Sequence, residues 1–300
     1  MTKLIHGKDY ARRIMANLKE HITAFRLKRY RPPKLAMILV GDNPPSVIYV
    51  NKKQQACKDI GMESLLHHLP TTTSRQQLEA LIDDLSEDSS VDGVLLQLPL
   101  PEPLRGMDII QTLCPYKDVD GLTAWNQGKL ALNQEGLFPC TPLGCMHLIK
   151  HNLPNPANTL SGLNAIVVGH SALVGAPLAK MLLHSECTVT TLHSESQSPQ
   201  QYACLADILV VAAGSQGLIT EEWVKEGSVV IDVGINRTDN GIVGDVDFNK
   251  VKHLPYAITP VPGGVGPMTI AILLTNTLHA YYYLNHNMPL CSFDNVITSL

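Results

Sequence analysis

The 300-residue sequence is poor in charge and in aromatic rings. Asp, Glu, Lys and Arg make up 17% of it, and Phe, Trp and Tyr only 5%. So low a charge content, beside the ~25% usual for soluble domains, excludes a disordered chain or a coiled coil. Neither sign of charge dominates. A net charge of -4 and a pI near 6.3 argue against a basic surface built for nucleic acid. The seven cysteines (Cys57, Cys114, Cys140, Cys145, Cys187, Cys204 and Cys291) contain no C-x-x-C pair, which suggests free thiols in a reducing cytosol. The opening MTKLIHGKDYARR has no apolar core and cannot serve as a signal peptide. Met268 to Leu284 carries no charge, but Thr, Asn and His interrupt it and it falls short of a ~20-residue span. It is expected to be a buried or amphipathic helix. A cytoplasmic protein without membrane or nucleic-acid partners is therefore expected. There is no long repeat and no low-complexity tract.

What is present is apolar and rhythmic. Hydrophobic residues make up 45%, and at roughly 100–200 residues per domain the length suggests about two domains, each able to bury a core. KLAMILVG (34–41) is a strand candidate, Ser46 to Ile60 reads as a helix, and VDGVLLQLPLP (91–101) is a strand running into prolines. A helix carrying Leu78, Leu81, Ile82 and Leu85 precedes that strand. Pro142 to Asn152 reads as a further helix and 152–162 as a loop. From Asn164 to Ser194 the chain reads strand, glycine turn, helix, strand. ADILVVAAG (206–214) and GSVVIDVGIN (227–236) follow as buried strands, then a Pro/Gly loop (258–269) and a last helix. This βαβ alternation predicts an α/β fold with parallel sheets.

Gly169-His-Ser-Ala-Leu-Val-Gly175 follows a strand and opens a helix, as a phosphate-binding turn would. It departs from G-x-G-x-x-G: Ser171 replaces the second glycine and the third comes one residue late. A tight βα turn with no ligand is the plain alternative. Two features favour a dinucleotide: the next strand ends about 20 residues on, at His193-Ser194, and the following strands end in small residues such as Ala213 and Gly234. His170 and Ser194 offer a cation and a hydroxyl where an NAD site usually presents an acid, which points to NADP, although Glu195 lies close.

In the first half Tyr49 and Lys53 are four residues apart, on one helix face. They form either an acid/base pair or part of a solvated surface. Gln97 sits inside an apolar run and needs partners, internal or ligand. Lys117-Asp118-Val119-Asp120-Gly121 is an acidic turn without calcium-loop spacing. His147 and His151, near Cys140 and Cys145, lack zinc spacing, and no metal is expected.

Several of these motifs occur in order: GDNPPSVIYVNKKQQACKDIGM (41–62), GVLLQLPLP (93–101), YKDVDGLTAWNQGKL (116–130), PCTPLG (139–144), GHSALVGAP (169–177), GSVVIDVGIN (227–236), GDV (244–246) and TPVPGGVGPMT (259–269). As a set they resemble the bifunctional methylenetetrahydrofolate dehydrogenase/cyclohydrolase family of folate metabolism. The resemblance implies a parallel-sheet folate-binding catalytic domain (1–140 plus 269–300), a Rossmann-type NAD(P)-binding domain (141–268), a cleft between them, and a homodimer.

The resemblance also implies roles. Lys53 matches the catalytic lysine, and Gln97 the glutamine that positions it. Tyr49 matches the tyrosine that packs on the folate ring, with Ser46 in the same motif. Asp120 matches the aspartate that binds the pterin edge, and Pro262, Gly263 and Gly264 a loop that closes on substrate. Gly169, His170, Ser171, Gly175, Ser194, Ala213 and Ile235 fall at cofactor positions. The substrate would be 5,10-methylenetetrahydrofolate, oxidised to the methenyl compound with NADP in preference to NAD and then hydrolysed to 10-formyltetrahydrofolate. In departure from the family pattern, His170 stands where Arg is frequent, Leu143 where many members carry Lys or Arg, and the tail at 285–300 matches no motif. The alternatives are a dehydrogenase alone or a catalytically silent nucleotide-binding protein. A short-chain dehydrogenase, which also uses Tyr-x-x-x-Lys, places that pair after its glycine turn and not before it. A cis peptide bond is expected before Pro99 or Pro262, in constrained proline turns.

Overall fold

The computed structural model describes residues 2–154, 159–239 and 241–290. Cys291 and most of the 285–300 tail therefore lie outside the described residues. In chain order the elements are β1 (Lys3–Leu4), α1 (Gly7–Leu27), β2 (Lys34–Val40), α2 (Pro44–Ile60), β3 (Glu63–Leu69), α3 (Arg75–Glu87) and β4 (Gly93–Leu96). Next come α4 (Ala124–Ala131), α5 (Cys140–Lys150), β5 (Asn164–Val168), α6 (Gly175–His184), β6 (Thr188–Leu192), α7 (Pro199–Ala203), β7 (Ile208–Val211) and β8 (Val229–Asp232). The chain closes with β9 (Asn236–Thr238), β10 (Gly241–Val243), α8 (Phe248–Val251), β11 (Ala257–Ile258) and α9 (Val265–His286).

The chain forms two compact units. Among the described residues, one gathers 2–12 with Thr141–Ile272; the other holds Arg13–Cys140 and 273–290. In the second unit a three-stranded parallel sheet has the order β3-β2-β4. β2, sequence KLAMILV, is central because its apolar residues can be covered on both faces, as a parallel strand requires. Its Ile38 and Val40 pack with Leu78, Ile82 and Leu85 of α3 and with Val94 and Leu96 of β4. α2 starts sharply: the Asn43 side chain accepts from the Ser46 N–H, and prolines fill its first turn, where no N–H partner is needed. It stops at Gly61, in the left-handed conformation. α3 begins with a reciprocal capping box between Ser74 and Gln77.

In the first unit six parallel strands take the order β1-β11-β8-β7-β5-β6. The connections reverse direction about β5, which lies between β6 and β7. Such a switch point is where open α/β sheets bind ligands, beyond the carboxyl ends of their strands. The runs ILVV and VVID of β7 and β8 are buried throughout.

The expected strands and helices between 34 and 101 and between 164 and 236 are present, and the two larger sheets are parallel; β9 and β10 form a separate antiparallel pair. Peptide bonds are cis before Pro99 and Pro262, and also before Pro103. Two boundaries differ from expectation: residues 269–272, like the first residues of the chain, fall in the unit of the six-stranded sheet. Residues 2–12 group with the six-stranded sheet, because Lys3 and Leu4 pair with Ala257 and Ile258 and the Ile5 N–H donates to the Ile258 carbonyl at 2.8 Å. Several elements were not anticipated. α1 buries Ala11, Ile14, Leu18, Ile22 and Phe25, a stripe diluted by charge. β3 lies at a sheet edge and is largely exposed, so its sequence ESLLHHL does not alternate cleanly.

Candidate active site

The polar cluster of the second unit is built by three segments. α2 projects Ser46, Val50, Lys53, Cys57 and Ile60 along its buried face. The 3.6-residue period therefore carries an ammonium group into an apolar layer. β4 ends at Leu96, and the Gln97 N–H extends its ladder to the Ile38 carbonyl at 2.9 Å. The acidic turn is tied alongside β4: Val94 bridges to Asp118, and the Val94 N–H donates to the Lys117 carbonyl at 2.7 Å.

Lys53 is 7% exposed, and its Nζ donates to Gln97 Oε1 at 2.9 Å. The other end of that amide is fixed too, since Gln97 Nε2 donates to the Leu98 carbonyl at 2.6 Å. This leaves the amide oxygen facing the lysine. Burial lowers the Lys53 pKa; the nearby Asp120 carboxylate and Cys140 oppose the shift by favouring the ammonium form. Cys140 Sγ donates to the Val119 carbonyl at 3.2 Å, and its thiol is pushed well up, first by burial and then by the nearby Asp120 charge. Lys53, Gln97, Asp120 and Cys140 thus form one electrostatic group. Tyr49 is half-buried one helical turn before Lys53, with the Lys52 ammonium 5.9 Å from its ring centre. Ser46 is buried, and its hydroxyl donates to Asn43 Oδ1 at 3.3 Å.

Sequence reading missed the supports of this group. Asp118 is fully buried and accepts from the Leu122 and Thr123 N–H groups and from Asn126 Nδ2, at 3.1, 2.8 and 2.9 Å. Burial raises its pKa against those donors. Asn276, on α9, donates through Nδ2 to the carbonyls of Val119 and Phe138, both at 2.8 Å, and lies 3.6 Å from Cys140 Sγ. A buried Asn in the uncharged stretch of α9 is a signal that buried partners exist. Cys140, read as simply packed, is buried but also part of the charged group.

The first unit holds the glycine turn. Gly169 has φ +110°, and a Cβ there would meet the Ala212 carbonyl oxygen at 2.2 Å, so only glycine fits. A Cβ on Gly175 would stand 2.0 Å from the Gly169 carbonyl oxygen. Ser171 closes the turn, its Oγ accepting from the Val174 N–H at 3.2 Å. His170, Ser171 and Ser194 are exposed, and the His170 ring lies 5.2 Å from that of His193. Ala213 is exposed and Ile235 is 47% exposed. The Ala213 N–H is occupied by Asp245 Oδ2 at 2.7 Å, which leaves the methyl and carbonyl of Ala213 facing outward. Small strand ends, a helix N-terminus and exposed donors at the sheet's switch point fit a dinucleotide.

Pro262, Gly263 and Gly264 belong to the first unit, apart from Lys53 and its partners in sequence and in unit. The Gly263 carbonyl accepts from the Lys8 N–H at 3.2 Å, and the Gly264 N–H donates to the Pro260 carbonyl at 2.9 Å. His147 and His151 stack at 4.2 Å with Tyr10 edge-on to both. Among the described residues no group of three or more His, Cys, Asp or Glu side chains is arranged to hold a metal ion. No described helix is long and apolar enough to cross a membrane.

Residues 5–120 match the catalytic domain of the tetrahydrofolate dehydrogenase/cyclohydrolase family, and residues 139–285 its NAD(P)-binding domain. The bifunctional protein FolD of a Sulfurihydrogenibium species is 49% identical over 281 residues, covering 93% of this chain and 97% of that one. A crystal structure of the bifunctional dehydrogenase/cyclohydrolase FolD from Campylobacter jejuni superposes with a TM-score of 0.90. Its identity is 43%, over 96% of this chain and 100% of that one. The Trypanosoma brucei dehydrogenase-cyclohydrolase, solved with NADP and an inhibitor, gives a TM-score of 0.87 at 32% identity, over 93% and 97%.

Proposed function

This chain belongs to the tetrahydrofolate dehydrogenase/cyclohydrolase family, and from that premise we propose that Lys53, Gln97 and Asp120 carry its hydrolytic step. The activity is bifunctional: 5,10-methylenetetrahydrofolate is oxidised to the 5,10-methenyl cation, and the cation is hydrolysed to 10-formyltetrahydrofolate. A bound nicotinamide dinucleotide accepts the hydride. Lone pairs on the two nitrogens flanking the reacting carbon stabilise the cation, so the protein's contribution to this step is mainly distance and angle.

Hydrolysis needs proton traffic. Water adds to the methenyl carbon and gives up a proton; the carbon–nitrogen bond then breaks at the ring nitrogen, which gains one. Across the step water supplies two protons, one to that nitrogen and one to solvent. A lysine buried enough to lose its proton near neutral pH can accept and return one. The observation that carries this assignment is the Lys53 ammonium site, buried and hydrogen-bonded to an amide that is itself held by a carbonyl. Asp120 supplies a carboxylate for the amino and amide edge of the pterin, through paired hydrogen bonds. Tyr49, with Ser46 in the same turn of α2, offers a half-buried ring beside the lysine for the folate ring to pack on. Pro262, Gly263 and Gly264 supply a loop to close on substrate.

NADP is the proposed cofactor. Gly169, Gly175 and the α6 N-terminus would receive its pyrophosphate. Exposed His170, Ser171 and Ser194 would receive the 2′-phosphate, and Ala213 and Ile235 would offer apolar contact. The cofactor-binding unit also leaves β6 as a sheet edge and shows Leu183, Tyr202 and Leu205 half-exposed, which supports a homodimer formed through this unit. One absorbance assay tests the whole reading. With methylenetetrahydrofolate and NADP, methenyl compound should accumulate and then decay, and Lys53→Met should abolish the decay. Near-normal decay in that variant would refute the role of Lys53.

A further inference from the structure

The carboxylates of Asp232 and Asp245 are the most heavily hydrogen-bonded buried charges of the first unit, and the chemistry described so far uses neither. Asp245 is completely buried. Its Oδ2 accepts from the Ala213 and Gly214 N–H groups at 2.7 and 2.8 Å, and its Oδ1 accepts from Asn236 Nδ2 at 2.8 Å. Its own N–H donates to Asp232 Oδ1 at 3.0 Å. Asp232 in turn accepts from the Gly234 and Val246 N–H groups at 2.9 and 3.0 Å. Three segments distant in sequence (212–214, 234–236 and 244–246) are thus tied together beyond the carboxyl ends of β7 and β8.

The two glycines of this knot leave no room for anything larger. A Cβ on Gly234 would lie 2.3 Å from the Asp245 carboxyl carbon, and one on Gly244 would lie 1.8 Å from Asp232 Oδ2. Both contacts are to short, hydrogen-bonded side chains that have nowhere to go. The carboxylate oxygens are saturated by N–H donors, so the pair is no cation site. Its output is the surface above it, where the same carboxylate anchors exposed Ala213 through its amide and exposed Ile235 through the neighbouring Asn236.

We propose that Asp245 is the positioning residue of the cofactor face, setting Ala213 and Ile235 at a fixed separation so that a dinucleotide meets a preformed surface. The proposal rests on the assignment of those two residues to cofactor binding. Preorganisation of this kind acts on affinity, because the loops are ordered before the ligand arrives. The Asp232 carboxyl, raised to about 6 by burial and by the Asp245 charge, is the measure of how much charge the knot confines.

The acceptor inventory gives a specific test. Asp245→Ala removes the acceptor that the Ala213 and Gly214 N–H groups and the Asn236 amide share. The KM for NADP is expected to rise about tenfold, the scale of one lost charge-assisted hydrogen bond, while kcat at saturating NADP changes far less. Asp245→Asn keeps an oxygen for Ala213 and Gly214, and its NH2 group can meet the Asn236 amide once that amide turns its oxygen inward, so KM should stay within about twofold of wild type. An unchanged KM in Asp245→Ala overturns the proposal. So does a parallel fall in kcat and in methenyl hydrolysis in Asp245→Ala, since that would mark a fold defect. If Asp245→Ala does not fold, Asn236→Ala alone should raise KM about threefold, and no change in it would overturn the proposal equally. Failure of the wild-type enzyme to use NADP at all would refute the cofactor assignment instead.

Discussion

Lys53 Nζ lies 2.9 Å from Gln97 Oε1, and the nitrogen of the same amide donates to the Leu98 carbonyl at 2.6 Å. Gln97 therefore cannot turn its NH2 group to the lysine without abandoning a hydrogen bond, and the lysine always meets an acceptor. Replacing Gln97 by Glu places a carboxylate at that point and raises the Lys53 pKa. The lysine then releases its proton only at higher pH than in wild type, so methenyl hydrolysis should fall about a hundredfold and recover as pH rises. Lys53→Met should lose about a thousandfold at every pH, while NADP titrates as in wild type. Measured pH–rate profiles distinguish the two; a Gln97→Glu enzyme with a flat, wild-type profile would contradict the arrangement.

Asp120 acts on the same lysine in the opposite direction to burial. Its charge favours the ammonium form, while desolvation favours the neutral amine. If neutral Lys53 takes the proton from water, the rate at saturating folate rises with pH through the lysine's pKa. Asp120→Asn removes the charge that raises this pKa, so the limb should move to lower pH while the KM for folate rises. A limb that stays put or moves to higher pH would exclude direct coupling of the two groups.

Much of this was legible in the residues themselves, and what was not has identifiable causes. Tyr49, Lys53 and Gln97 could be singled out because a helical spacing and an amide in an apolar strand are local signals. The sheet of the first unit was legible because β7 and β8 are uninterrupted apolar runs flanked by small residues. Asn276 and Asp245 escaped because their partners lie far off in sequence; Asn276 reaches Val119 across 157 positions. Asp118 lay in the acidic turn, but nothing local revealed its burial. The two-residue strand β1 escaped as well, since nothing within Lys3–Leu4 reveals that its partner is Ala257–Ile258.

In the proposed NADP site His170 would meet the 2′-phosphate. It is exposed, with its ring 5.2 Å from His193, and no lysine or arginine accompanies it in the 169–175 turn. An imidazole carries only part of a positive charge near neutral pH, whereas a guanidinium is always charged and grips a phosphate with two N–H groups. His170→Arg should raise the ratio of kcat/KM for NADP over NAD about tenfold. Ser194→Asp should lower it by repelling the phosphate. Initial rates with each cofactor measure both, and a ratio unmoved by either substitution would place the phosphate elsewhere.

Asp232 predicts a pH dependence of stability that can be isolated by difference. Its pKa is about 6 in the folded chain against an ordinary 3.8, chiefly because burial disfavours the charge. The folded state therefore binds more protons than the unfolded one between these values. The resulting stabilisation is fully present below pH 3.8 and is lost as pH rises through about 6. Asp232→Asn does not titrate. It should be destabilised throughout, because its NH2 group cannot accept from both the Gly234 and Val246 sides as the carboxylate does. The gap in unfolding free energy between wild type and variant should nevertheless shrink by about 1 kcal/mol between pH 5 and pH 7. Every other ionisable group is common to both proteins and cancels in the difference. Urea unfolding at the two pH values measures the gap. A gap that is constant or widens with pH would mean that Asp232 is already ionised in the folded protein at pH 5, with its three N–H donors outweighing burial.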